Sequence, residues 1–151
     1  MTLLVALASL AQATTFASPL SLEDLATRSD QAVHGRVVSV EGVMRAEQIW
    51  TLARIHPETG ADVDAWVLGG CLAERDLCMT VAGSPRPAVG ENVFVFLREA
   101  RVTGLSQGWF VLHGDAGIRD LSGIVFADGK SAPVSVDLDA LNEAAATIAP
   151  R

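Results

Sequence analysis

Asn92-Val93-Phe94-Val95-Phe96-Leu97 reads as the most apolar strand in the chain. Its β-branched and aromatic residues favour a pleated backbone, and no polar residue alternates with them, so both faces are expected to be buried. Gly90 stands just ahead of it. Before that, Gly83-Ser84-Pro85-Arg86-Pro87 reads as a rigid, extended connector.

Upstream, the pattern is also strand-like. Ala32–Val40 is valine-rich and reads as a long first strand, with Gly35 expected to mark a bulge or bend. Ile49–Ile55 reads as a second strand with Ile49, Thr51, Ala53 and Ile55 on one face. His56-Pro57-Glu58-Thr59-Gly60 is a turn, Val63–Leu68 a third strand, and Gly69-Gly70 a break before a fourth at Cys78–Ala82. Downstream, Gln107–His113 reads as a strand, followed by short pieces at Ile124–Ala127 and Pro133–Val136. Two helices flank these strands. Ser21 and Asp24 form the signature of a capping box for a helix from Leu22 to about Ser29, with Leu20 and Leu25 at staple positions. Leu138, Leu141, Ala145 and Ile148 mark one face of a C-terminal helix, with Asp137 and Asp139 at its start. Many short strands with glycine kinks predict a mainly β fold. A small OB-like barrel comes first, because closure removes exposed edges, and a β-sandwich is the runner-up.

Composition bounds function. The chain has 151 residues, a formal net charge of −7, and Lys130 as its only lysine. No basic cluster offsets the negative charge, so nucleic acid and anionic membrane surfaces are not expected partners. Leu3–Leu10 is apolar but too short to span a bilayer as a helix, and Ala11-Gln12-Ala13 has the small-x-small pattern of a cleavage site. The expected organisation is a signal peptide over residues 1–13 and a single β-rich domain over 14–151, secreted or periplasmic, with no stable membrane insertion of the mature chain. Export permits a disulfide, and Cys71 and Cys78 are the only cysteines. The charged Glu74-Arg75-Asp76 between them reads as a solvated loop clipped at its base. In the chain-entropy view the clip stabilises by about 2–3 kcal/mol.

No set of residues has the spacing of a named chemistry. His34, His56 and His113 stand far apart in sequence, and none lies in a zinc-protease frame. His34, His113 and Asp115 are weak metal candidates, joined only if their strands are neighbours. Ser84 and Ser106 read as turn residues, since Pro85 breaks any nucleophile elbow. Asp62 with Asp64, and Asp137 with Asp139, read as a solvated strand end and a helix cap rather than calcium loops. The tryptophans Trp50, Trp66 and Trp109 are the more informative group. Trp109 and Phe110 must face opposite sides of a strand. Trp50 and Trp109 are the candidate binding surface if the latter points outward.

Ser29-Asp30-x-x-Val33-x-Gly35-x-Val37, Gly69-Gly70, Gly90-Glu91-x-x-x-x-Phe96-Leu97 and Gln107-Gly108-x-Phe110-Val111 resemble the landmarks of a group of uncharacterised exported bacterial proteins. The resemblance covers most of the mature chain and implies fold rather than activity. A more distant likeness is to the netrin-like module of tissue inhibitors of metalloproteinases, which implies an OB-like barrel. Inhibition in that family uses an N-terminal cysteine, whereas the mature chain is expected to start at Thr14. The expected function is a non-enzymatic binding or interaction module for a protein or glycan, with no cofactor. The alternatives are a metal-dependent envelope hydrolase using His34, His113 and Asp115, and a protease-inhibitor-like barrel acting through the clipped loop.

Overall fold

The computed structural model describes residues 15–16, 18–127, 129 and 132–150. The expected signal peptide and its cleavage site lie outside the described residues. The fold is mainly β, with two helices. In chain order the elements are β1 (Thr15–Phe16), α1 (Leu22–Arg28), β2 (Gln31–Arg45), β3 (Gln48–Pro57), β4 (Val63–Leu68), β5 (Gly70–Leu72), β6 (Leu77–Met79), β7 (Asn92–Arg98), β8 (Arg101–Val102), β9 (Trp109–His113), β10 (Ala116–Arg119), β11 (Val125–Phe126), β12 (Val134–Asp137) and α2 (Leu138–Ala146).

One eight-stranded sheet has the order β12-β10-β9-β7-β2-β3-β4-β8. The last strand, β8, also pairs with β7, through Leu97↔Val102 and Arg98↔Arg101. Pairing therefore runs from β7 through β2, β3, β4 and β8 and returns to β7. The β4–β8 step is parallel and rests on Trp66↔Arg101. β1–β11 and β5–β6 form separate two-stranded ribbons.

β7 organises the core as its composition predicts. Val93, Val95 and Leu97 point to one side and pack with Val33, Val37, Ala53, Ile55, Ala65, Val67 and Trp109. Phe94 and Phe96 point to the other and pack with Phe110, Leu20, Leu25, Ala26 and Leu141. The first cluster is built from β2, β3, β4, β7 and β9. The second is the seat of both helices, and Phe96 meets Phe110 edge-on at 6.3 Å between ring centres. Burying each such aromatic ring contributes roughly 1.5–3 kcal/mol.

The helices form for the expected local reasons. The Ser21 hydroxyl accepts from the Asp24 N–H at 3.0 Å, and the Asp24 carboxylate accepts from the Ser21 N–H at 3.1 Å, completing the capping box. Leu141 is the buried centre of the α2 apolar face, with Leu138, Ala145 and Ile148 packed around it.

Several sequence expectations are corrected. The first strand runs to Arg45 and forms a long hairpin with β3. The bulge falls between Val37 and Ser39, not at Gly35. Gly35 serves a close approach: a Cβ there would lie 2.4 Å from the His56 carbonyl oxygen. The expected fourth strand, Cys78–Ala82, reduces to β6 in a short hairpin with β5. The strand expected over Gln107–His113 starts only at Trp109, because Leu105–Gly108 forms a 3₁₀ turn. That turn aims Gln107 inward, where its Oε1 accepts from the Leu20 N–H at 2.6 Å. Arg119, only 6% exposed, donates to the Leu20 carbonyl at 2.8 Å and to the Gln107 carbonyl at 3.2 Å. Burial pushes the Arg119 pKa down. Together these two side chains hold both polar groups of the Leu20 backbone at the entrance to α1.

Candidate functional site

Trp50 and Trp66 are brought together by strand parity. On β3, Ile49, Thr51, Ala53 and Ile55 are buried, so Trp50, Leu52 and Arg54 point to the opposite, outer face. On β4, Ala65 and Val67 are buried, which turns Asp64, Trp66 and Leu68 outward. Register then sets Trp50 opposite Leu68 and Leu52 opposite Trp66. Directly paired residues share a face, so these four half-buried apolar side chains form one patch.

An arginine approaches the patch from each side. Arg45, at the end of β2, places its guanidinium carbon 4.3 Å from the Trp66 ring centre. Arg101, at the start of β8, lies 5.0 Å from the ring centre of Trp50. Both distances are within cation–π range. Across the sheet the order is Arg45, Trp50, Trp66, Arg101. Each arginine adjoins a two-residue turn in which both residues have positive φ: Ala46 and Glu47 at 46° and 63°, Glu99 and Ala100 at 50° and 61°. This is the backbone sense of a type I′ hairpin turn, for which Asn and Gly are the usual residues. Neither turn contains either.

Beyond Leu52 along β3 lie two ion pairs. Arg54 Nε donates to Asp64 at 2.9 Å, and His56 Nδ1 lies 2.7 Å from Asp62. The hydrogen bond that Arg54 donates to Asp64 raises the Arg54 pKa above its ordinary value. Asp62 and Asp64 are thus each engaged by a basic side chain.

Other sequence candidates fall elsewhere. Trp109 is 3% exposed and sits in the inner core, so it is corrected from candidate surface to core residue. The reason is its parity: Trp109 pairs with Val95, on the inner face of β7. His34, His113 and Asp115 do not assemble, and among the described residues no three His, Cys, Asp or Glu side chains are placed to hold a metal ion. His34 stacks against Phe94 with ring centres 5.9 Å apart. It shares a shallow cavity of about 440 Å³ with Arg36 and His56. His113 and Asp115 are exposed at the β9–β10 turn.

Cys71 and Cys78 form the expected disulfide, as directly opposed residues of β5 and β6. Their hairpin lies across the inner side of the far β2–β3 hairpin. Gly42 makes room for it, since a Cβ there would sit 1.8 Å from the Cys71 carbonyl oxygen. The Thr51 hydroxyl donates to the Gly69 carbonyl at 2.7 Å and fixes the start of the hairpin. Beside it opens a groove of about 880 Å³, walled by the disulfide hairpin, Val40–Met44 and the connector through Pro87. The groove is larger than the cavity beside His34. The outer face carries the denser recognition chemistry, two indole rings and two guanidinium groups.

Sequence reasoning missed Trp66, Arg45 and Arg101 as members of this face. Trp66 was readable, since Val63, Ala65 and Val67 define the inner side of its strand. The arginines were not, because their placement follows from a β2 longer than expected and from the two-residue β8. No protein-family model, curated protein or solved structure matches the chain.

Proposed function

We propose that the protein is an exported, non-enzymatic binding module, an OB-like barrel that holds a polysaccharide across the outer face of β3 and β4. The observation that carries this reading is the pair of half-buried tryptophans on one open sheet face, each flanked by an arginine. Indole rings offer broad apolar platforms suited to the C–H faces of sugars, with a polar edge that stays wet. The pairing path that returns to β7 supports the barrel. In OB-like barrels the face of the second and third strands, with the loops beside it, holds oligosaccharides and oligonucleotides. Counted from β2, those strands are β3 and β4. The disulfide is compatible with an oxidising compartment, and among the described residues no helix is long and apolar enough to cross a membrane.

The test is binding of the purified protein to a panel of immobilised neutral and acidic polysaccharides, wild type against Trp50→Ala and Trp66→Ala. Each variant is expected to lose about tenfold in affinity, the worth of one stacked aromatic contact. Thermal unfolding of the variants, followed by circular dichroism, checks that the fold is intact. Retention of no polysaccharide, or retention that neither folded variant weakens, would overturn the reading.

A further inference from the structure

The charge pattern around the tryptophans narrows the ligand. Arg98 and Arg101 are directly opposed across β7–β8. Like charges in that position repel across a strand pair. Among the described residues neither forms a salt bridge, nor does Arg45, although Arg54 on the same side of β3 is paired with Asp64. Arg45 and Arg101 therefore reach the aromatic patch without a salt bridge among the described residues, with Arg98 opposite Arg101, while Glu41, opposite Leu52, is the carboxylate on the same face. The geometry also sets what these groups can grip. A guanidinium held near an indole by cation–π attraction, as Arg45 and Arg101 are, keeps its N–H donors available to a further acceptor. The ring restricts the side chain in advance, so less entropy is lost when those donors meet a planar, two-oxygen acceptor.

We propose that the Trp50–Trp66 face selects carboxylated polysaccharides, those built from uronic acids, with Arg45, Arg98 and Arg101 binding the carboxylates. The inference rests on the polysaccharide reading above and adds its ligand class. An acidic polymer placed here relieves the Arg98–Arg101 repulsion, whereas a neutral one leaves it in place.

The experiment compares polygalacturonate with the same polymer after full methyl esterification, which keeps the sugar rings and removes the charge. Binding is measured by titration calorimetry at two salt concentrations. The acidic form is expected to bind at least tenfold more tightly and to weaken as salt rises. Arg98→Gln and Arg101→Gln are each expected to cost several-fold for the acidic polymer, and Arg98→Gln to cost little for the ester. Equal binding of both forms, lost on Trp50→Ala, would overturn the carboxylate inference while leaving the binding module standing. Binding of neither form, with no other polysaccharide retained, would remove both. Tighter binding of a single-stranded oligonucleotide through the same arginines would overturn the choice of ligand.

Discussion

Glycine at the second position of each left-handed turn, Glu47→Gly together with Ala100→Gly, is expected to stabilise the protein. Glu47 and Ala100 adopt φ of 63° and 61°. Holding an L-residue in that region costs about 1–2 kcal/mol, because Cβ crowds the following carbonyl. Glycine removes the crowding but adds freedom to the unfolded chain, which takes back about 0.5–1 kcal/mol. The net gain is about 0.5–1 kcal/mol per site and about 1–2 kcal/mol for the double variant. For a domain of this size that raises Tm by roughly 2–8 °C. Scanning calorimetry without reductant measures the shift, and a urea titration with unchanged slope confirms that stability alone has changed. The Ala100 carbonyl accepts from the Trp66 N–H at 2.7 Å, an interaction of the main chain that glycine keeps. A double variant that folds with the same or a lower Tm would refute the argument, since the left-handed strain would then be absent or matched by lost side-chain contacts.

Three further outcomes are expected. Phe96→Ala, at the wholly buried centre of the helix-facing cluster, should cost about 3–5 kcal/mol, read as a lowered urea midpoint. Replacing Cys71 and Cys78 together by serine should cost about 2–3 kcal/mol, and reductant should then have no effect on the variant's midpoint while still lowering that of the wild type. Acid should destabilise through two exposed carboxylates. Asp24 is held below the ordinary carboxylate pKa by the Ser21 backbone and side-chain hydrogen bonds, and Asp120 by those from the Ser122 side chain and backbone. A depressed folded-state pKa gives stability that is present above the unfolded-state value and is lost as pH falls through the folded one. Melting temperatures followed from pH 6 down to 2 should therefore drop most below about pH 4. Asp24→Asn should flatten that slope.

The sequence displayed much of the fold because burial writes itself into residue parity. β7 reads as doubly buried since Val93, Val95 and Leu97 face one core and Phe94 and Phe96 another. The α1 cap is legible because a capping box needs only Ser21 and Asp24 at the right spacing. The closing pieces were not legible. β8 is two residues long, and its identity depends on partners far away in sequence. Trp109 followed by Phe110 defeats parity from the opposite direction: both rings are buried, in different cores, so sequence alone does not say which way either points. The same limit hid the Arg45 and Arg101 contacts, which exist only after four strands are in register.

The arrangement of strain bears on the binding reading. Among the described residues, four of the six non-glycine residues with positive φ occur in pairs at two turns, and each turn adjoins an arginine that approaches a tryptophan on the outer face. A hairpin selected for stability alone would place Asn-Gly there. Ala46-Glu47 and Glu99-Ala100 instead leave the turns tight and without glycine, which restricts the backbone beside Arg45 and Arg101. β7, buried on both faces, and the inner cluster of β2, β3 and β4 supply the rigidity that holds such turns in place. A binding site works best on a rigid scaffold that holds its contact groups in place. If the glycine variants gain stability and lose affinity for polygalacturonate, the strain serves recognition. If they gain stability at unchanged affinity, the arginines are ordered by the indole rings alone, and the turns are incidental to the site.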